Sequence, residues 1–141
     1  MRPAGLIDTG AMVAIVDSDD LWHSSCVDAL LSVRTPLFTS EAVLTEAFHL
    51  LGRGRRDPEK AWAFVRSGAL TVCSIGDSDL PQLHELMSRY RDRPMDFADA
   101  TLVHLAAREN LSLILTVDHD DFRTYRIAGR KRFTILPRPL P

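Results

Sequence analysis

The 141-residue chain has only two cysteines, Cys26 and Cys73, far apart and outside any CxxC pair. That excludes a disulfide framework and a thiolate zinc site, and a reduced cytoplasmic setting fits best. Histidine carries no metal pattern either: His23, His49, His84, His104 and His119 show no HExxH or comparable spacing. Lysine is nearly absent, with 2 Lys against 15 Arg, and the acids lean to Asp, 14 against 5 Glu. A net charge of −2 excludes nucleic-acid binding through bulk charge alone, so any phosphate contact must come from local patches. No run is apolar enough for a signal peptide or a membrane span, because the stretch after Met1 holds Asp8 and is broken again at Asp17, Asp19 and Asp20. A DxDxT-type phosphatase nucleophile is also missing.

With 45% hydrophobic residues, the chain is long enough to bury a core as one domain over 1–141. The apolar run 4–8 reads as a buried strand, and 9–16 continues with helix-like spacing. Leu21, Cys26, Leu30 and Val33 suggest a helix over 21–33, stopped before Pro36, and 37–39 is strand-like. Ser40 is placed to cap a helix over 41–52, with Gly52 and Gly54 as stop signals. A helix over 58–68, a strand over 69–75 and a helix over 80–91 follow. Asp96 would cap a helix over 95–110. The buried run 111–118 and the short run 133–137 read as the last strands. Strand and helix alternate without repeats, which implies an α/β fold with a mainly parallel sheet and helices on both faces.

"LIDTGAMVAIV" raises two possibilities. Asp8-Thr9-Gly10 matches the active-site loop of retroviral-type aspartic proteases, but those are β-rich, and the helical periods here argue against them. The alternative depends on the other acids. Asp8 and Asp118 each end a predicted buried strand, so both project from the carboxyl edge of the sheet, where ligands of open α/β sheets sit. Glu46 shares a helix face with Val43 and Leu50, and Asp99 one with Val103 and Ala106. Buried carboxylates cost several kcal/mol each unless something compensates. Mg²⁺ or Mn²⁺, which prefer oxygen ligands, would compensate several at once and support phosphodiester hydrolysis.

The series "LIDTGAMVAIV", "TSEAVLTEAFHLL", "MDFADATLVHLAA" and "LILTVDHDDF" resembles the PIN-domain ribonucleases, and among them the toxins of bacterial VapBC-type toxin–antitoxin pairs. The resemblance covers essentially the whole chain and implies a three-layer α/β/α fold. It implies a Mg²⁺- or Mn²⁺-dependent endoribonuclease with Asp8, Glu46, Asp99 and Asp118 as the catalytic, metal-holding acids and Asp96 as a companion. Thr9 and Thr116 match the hydroxyl positions beside the first and last acids. Gly10 departs from the pattern, since relatives often have Ser or Asn there. The resemblance also implies RNA as substrate, a cognate VapB-type antitoxin and a homodimer.

Asp96 also has a plain reading as a helix cap, and Asp120 and Asp121 read as solvated turn residues. Trp22, Trp62 and Phe64 read as core or interface. Arg53, Arg55 and Arg56 form one basic cluster and Arg89, Arg91 and Arg93 another. Either is ordinary solvated surface or an RNA backbone track, for which Arg53, Arg55, Arg56 and Arg93 are the candidates. Two other functions stay open: a PIN-like module that binds RNA or protein without cutting, and a metal-dependent DNA nuclease or phosphatase using the same acids.

Overall fold

The computed structural model of the protein describes residues 3–52 and 58–141. Five strands, β1 (Gly5–Ile7), β2 (Leu37–Ser40), β3 (Leu70–Cys73), β4 (Leu113–Leu115) and β5 (Thr134–Leu136), form one sheet in the order β3-β2-β1-β4-β5. Every pairing between them is parallel. The helices are α1 (Thr9–Val16), α2 (His23–Ser32), α3 (Glu41–Leu51), α4 (Pro58–Val65), α5 (Leu80–Arg89), α6 (Phe97–Arg108) and α7 (His119–Thr124), with a 3-10 turn at Asp77–Asp79. The expected parallel α/β architecture is the observed one, flanked by helices as in a three-layer α/β/α fold.

The connection order places a topological switch between β1 and β4. From β1 the chain winds outward through β2 to β3, then returns across the sheet to β4 on the other flank of β1. Such a switch opens a crevice at the carboxyl edge of the two central strands. At the opposite, amino end of these two strands the backbones approach so closely that a Cβ on Gly5 would lie 2.3 Å from the Leu113 carbonyl oxygen. Only glycine fits that position.

Local chemistry explains the helices that border the crevice. Asp8 follows β1 directly and caps α1 by accepting a hydrogen bond from the Thr9 amide at 2.7 Å. Helix α1 is apolar around most of its circumference, as a helix enclosed by its neighbours must be. Ser40 caps α3 through its hydroxyl, which accepts from the Val43 amide at 3.2 Å. Asp96 caps α6 in the same way, accepting from the Asp99 amide at 2.8 Å. Helix α6 buries most of its residues, many of them alanine, and packs against β1, β2 and α3. A buried contact of 2.8 Å between the Ser40 and Thr101 hydroxyls ties it to the end of β2.

Several expected boundaries shift. Helix α2 buries Cys26 and Ala29, while Leu21 lies before its first turn and is 80% exposed. The last β4 residue is Leu115, so Asp118 sits three positions beyond the strand as the N-cap of α7. Helix α7 was not expected, and it carries Asp120 and Asp121 in its first turn. Arg53, Arg55 and Arg56 lie outside the described residues.

Candidate metal centre

Beyond the ends of β1 and β4 the surface opens into a cavity of about 350 Å³ lined by Asp8, Thr9, Gly10, Glu46, Asp96, Asp99, Val117 and Asp118. All five sequence-derived acids therefore reach one space from four elements. Asp8 comes from the end of β1, Glu46 from α3, Asp96 and Asp99 from the start of α6, and Asp118 from the start of α7.

Asp8 is 5% exposed and both of its oxygens are held. Oδ1 accepts from the Thr9 amide, and Oδ2 accepts from the Thr116 hydroxyl at 3.0 Å. Thr116 Oγ1 in turn accepts from the Asp118 amide at 3.0 Å, so one threonine couples the β4 exit to the β1 acid. Thr9 donates its hydroxyl to Glu46 Oε1 at 3.0 Å. Both threonines thus orient carboxylates, in the positions the sequence suggested. Asp99 is 7% exposed and accepts from the Tyr125 hydroxyl at Oδ2, 2.9 Å away.

Two expectations need correction. Glu46 is exposed rather than buried. The buried line of α3 runs through Val43, Ala47 and Leu51, and Glu46 stands beside that line at the cavity mouth. Asp121 is not a free turn residue. Carboxylate oxygens of Asp99, Asp118 and Asp121 all lie within 4.8 Å of one another, the tightest acidic group among the described residues. Asp120 does point into solvent, as expected.

The electrostatics show what this arrangement lacks. Burial pushes the Asp8 carboxyl up to about 6, against the two hydrogen bonds that favour its anion, and the charges of Asp96 and Glu46 add to the rise. Burial, then the charges of Asp8 and Asp96, push Asp99 up to about 8 despite the Tyr125 hydrogen bond. Burial also raises Asp118, helped by its direct contact with Asp121. Asp121 ends below the usual range because its contacts with Asp118 and Arg93 outweigh its burial. Arg93 Nη1 donates to Asp121 Oδ1 at 2.6 Å, so Arg93 neutralises the outer acid. Among the described residues no Lys, Arg or His forms an ion pair with Asp8, Glu46, Asp96, Asp99 or Asp118.

Crowded carboxylates without a cationic partner are a donor set of hard oxygens for a divalent cation. The donor chemistry and the preset hydrogen bonds of Asp8 and Asp99 fit such an ion, as hydrogen-bonded carboxylates do in known metal sites.

Known proteins agree with this reading of the fold. The family model described as "PIN domain" matches residues 5–128. The chain belongs to the PIN-domain family. This PIN domain is 30% identical over 135 residues to Ribonuclease VapC26 of Mycobacterium tuberculosis, covering 94% of this chain and 99% of that protein. Its fold resembles M. tuberculosis VapC20, described as a sarcin-ricin loop cleaving toxin, with a TM-score of 0.70 at 22% identity over 78% of this chain and 86% of that one. It also resembles Rickettsia felis VapBC2, solved with a DNA fragment from its promoter, with a TM-score of 0.68 at 14% identity over 93% and 97% of the two chains. The family match stops at residue 128, yet the sheet of this PIN domain is completed beyond it by β5. Among the described residues no helix is long and apolar enough to cross a membrane.

Gly10 has a physical reason in this PIN domain. A Cβ at position 10 would lie 2.5 Å from Val117 Cγ2, across the cavity floor. Val117 therefore fills space that a side chain at position 10 would need. Gly10→Ser should cost about 1–3 kcal/mol by overpacking, and Gly10→Ser with Val117→Ala should recover most of it. Thermal melts of both variants check this. Equal melting temperatures for the two variants would show that Val117 is not the obstacle.

Proposed function

We propose that this PIN domain is a Mg²⁺- or Mn²⁺-dependent endoribonuclease, the toxin of a VapBC-type toxin–antitoxin pair. The observation that carries the proposal is the convergence of uncompensated carboxylates at the β1/β4 crevice. The identity to Ribonuclease VapC26 over nearly the whole of both chains supports it.

In this reading Asp8, Glu46, Asp99 and Asp118 hold the ion or ions, with Asp121 added to the set and Asp96 serving as both helix cap and cavity wall. A divalent cation bound there supplies Lewis-acid charge beside a scissile phosphodiester and makes hydroxide available near neutral pH. The chain's own contribution is orientation. Thr9 and Thr116 fix both oxygens of Asp8, Tyr125 fixes Asp99, and Arg93 holds Asp121 at the rim. The cavity is open on its outer side, which suits a polymeric substrate. Of the arginine candidates, Arg93 stands at the edge of the acidic group, where it both bridges to Asp121 and flanks the path of an RNA backbone. The partners that follow are RNA, a VapB-type antitoxin that covers the crevice, and a second copy of the chain. The whole chain, 1–141, acts as one domain in the cytoplasm.

The deciding test is a side-by-side digestion of mixed-sequence single-stranded RNA and DNA by the purified chain, with Mn²⁺, with Mg²⁺ and with chelator. Internal cuts in RNA that need metal, with DNA left intact, are expected. No RNA cleavage in either metal would make the protein a binding module. Equal cleavage of both polymers would remove the ribonuclease assignment.

A further inference from the structure

The acidic cavity does not end at Glu46 and Asp96. The same two residues form a wall of a second cavity of about 410 Å³ between the starts of α3 and α6, bounded also by Glu41, Ala42, Thr45, Phe97 and Ala98. Phe97 is the first residue of α6, next to the Asp96 cap, and its ring is 46% exposed. Large apolar side chains left exposed elsewhere among the described residues, such as Leu21, Leu31 and Leu80, line neither of these two cavities.

Charge narrows the occupant. Glu41, Glu46 and Asp96 border the second cavity, so a phosphate or an acidic peptide is repelled from it. An aromatic face and two alanine methyl groups suit a flat, neutral ring. The carboxylate of Glu41 only accepts hydrogen bonds, so the ring should present N–H donors. A nucleobase meets both conditions, and bases of single-stranded RNA are commonly read by stacking on aromatic side chains with hydrogen bonds to their Watson–Crick edges.

Resting on the ribonuclease reading, we propose that this cavity is a base-specificity pocket: Phe97 stacks the base next to the scissile phosphodiester and Glu41 selects guanine. Guanine offers two adjacent donors, N1–H and the N2 amino group, to one carboxylate. Adenine and cytosine offer only an amino group, and uracil offers only N3–H, flanked by two carbonyl oxygens that the acid repels. Continuity through Glu46 and Asp96 puts the pocket beside the position where a phosphodiester meets Asp8, Asp99 and Asp118.

The test is cleavage of a randomised single-stranded RNA pool with Mn²⁺, followed by sequencing of the cut ends, for the parent, Phe97→Ala, Phe97→Trp and Glu41→Gln. The parent should show guanine enriched at one position adjoining the cut. Phe97→Ala should lower kcat/KM on the preferred sequence roughly five- to hundredfold, the range typical of losing one base stack, and Phe97→Trp should restore it to within a few-fold. Glu41→Gln should flatten the guanine preference about tenfold while total cutting of other sequences persists. Phe97 is exposed, so these variants should melt like the parent. A parent that cuts RNA with no base preference beside the cut, or a Phe97→Ala variant that cuts like the parent, overturns the pocket and leaves the nuclease standing. A Phe97→Ala variant whose cutting is unchanged but whose sedimentation or antitoxin capture is altered assigns the face to a protein partner and overturns the pocket too. A parent that cuts no RNA at all overturns the ribonuclease reading itself.

Discussion

Asp99→Asn should give a folded protein that no longer cuts RNA. The substitution keeps size, helix geometry and an oxygen able to accept from the Tyr125 hydroxyl, 2.9 Å from Asp99 Oδ2. The Asp99 amide that donates to Asp96 belongs to the backbone and is untouched. What disappears is the negative charge at the centre of the acidic group. If that charge holds a divalent cation, cleavage should fall by on the order of a hundredfold or more, as for loss of a main electrostatic element. Stability without metal should match the parent's near pH 4 and exceed it increasingly as pH rises toward 8, because burial and the neighbouring charges push the Asp99 carboxyl up to about 8 and its ionisation in the folded parent is what costs stability over that window. A buried acid paired with arginine would behave in the opposite way, losing about 3–5 kcal/mol when its charge is removed. Asp8→Asn is the harsher variant. Both Asp8 oxygens accept hydrogen bonds, from the Thr9 amide and the Thr116 hydroxyl, and an amide NH₂ would face one of those donors. That should cost about 1–3 kcal/mol. Thermal melts with chelator and RNA cleavage with Mn²⁺, run on parent and both variants, separate charge from packing. An Asp99→Asn protein that unfolds, or that cuts like the parent, would remove Asp99 from the centre.

Those contrasts also show which parts of the site can be read from sequence. Asp8 was legible because an apolar run ending in an acid is a strand exit, and the same acid caps α1. Asp99 was legible because α6 is long and its apolar period puts position 99 on the inner face. Glu46 was misplaced for a related reason. Val43 and Leu50 flank it at helical spacing, but Leu50 is only half-buried, and the inner line of α3 is set by Val43, Ala47 and Leu51. A residue one position from that line sits about 100° around the helix, which is enough to reach the open rim. Asp121 was missed because α7 is short and buries only Phe122, leaving no period to detect. The usable signal was the capping pattern, with Asp118 followed by two acids in a first turn. Tyr125 carried no signal at all. Its bond to Asp99 spans 26 residues of sequence, and only the folded chain brings the C-cap of α7 to the first turn of α6.

Without metal, the protein should lose stability as pH rises from about 4 to about 8, and Mn²⁺ should reverse that loss only in the upper part of the range. In the folded state Asp8 titrates near 6 and Asp99 near 8, whereas an unfolded aspartate titrates near 3.9. Between those values the folded chain binds more protons than the unfolded chain, so stability falls with increasing pH and levels off once Asp99 has ionised. Each unit of displacement corresponds to about 1.4 kcal/mol, so Asp8 alone should remove on the order of 3 kcal/mol across its part of the window, and Asp99, displaced further, should remove more. A divalent cation binds the ionised carboxylates and competes with those same protons. At pH 8 a hundredfold excess of Mn²⁺ over its dissociation constant should add about 2.7 kcal/mol, a rise of several degrees in Tm. At pH 5, with Asp8 and Asp99 protonated, the same metal should add little. Differential scanning of the chelated and Mn²⁺-loaded protein at pH 5, 6.5 and 8 reads both trends at once. A chelated Tm that stays flat or climbs over this range would mean the acids are not crowded and buried together. A Mn²⁺ shift as large at pH 5 as at pH 8 would mean that the ion binds elsewhere, since no group of protonated carboxylates can hold it.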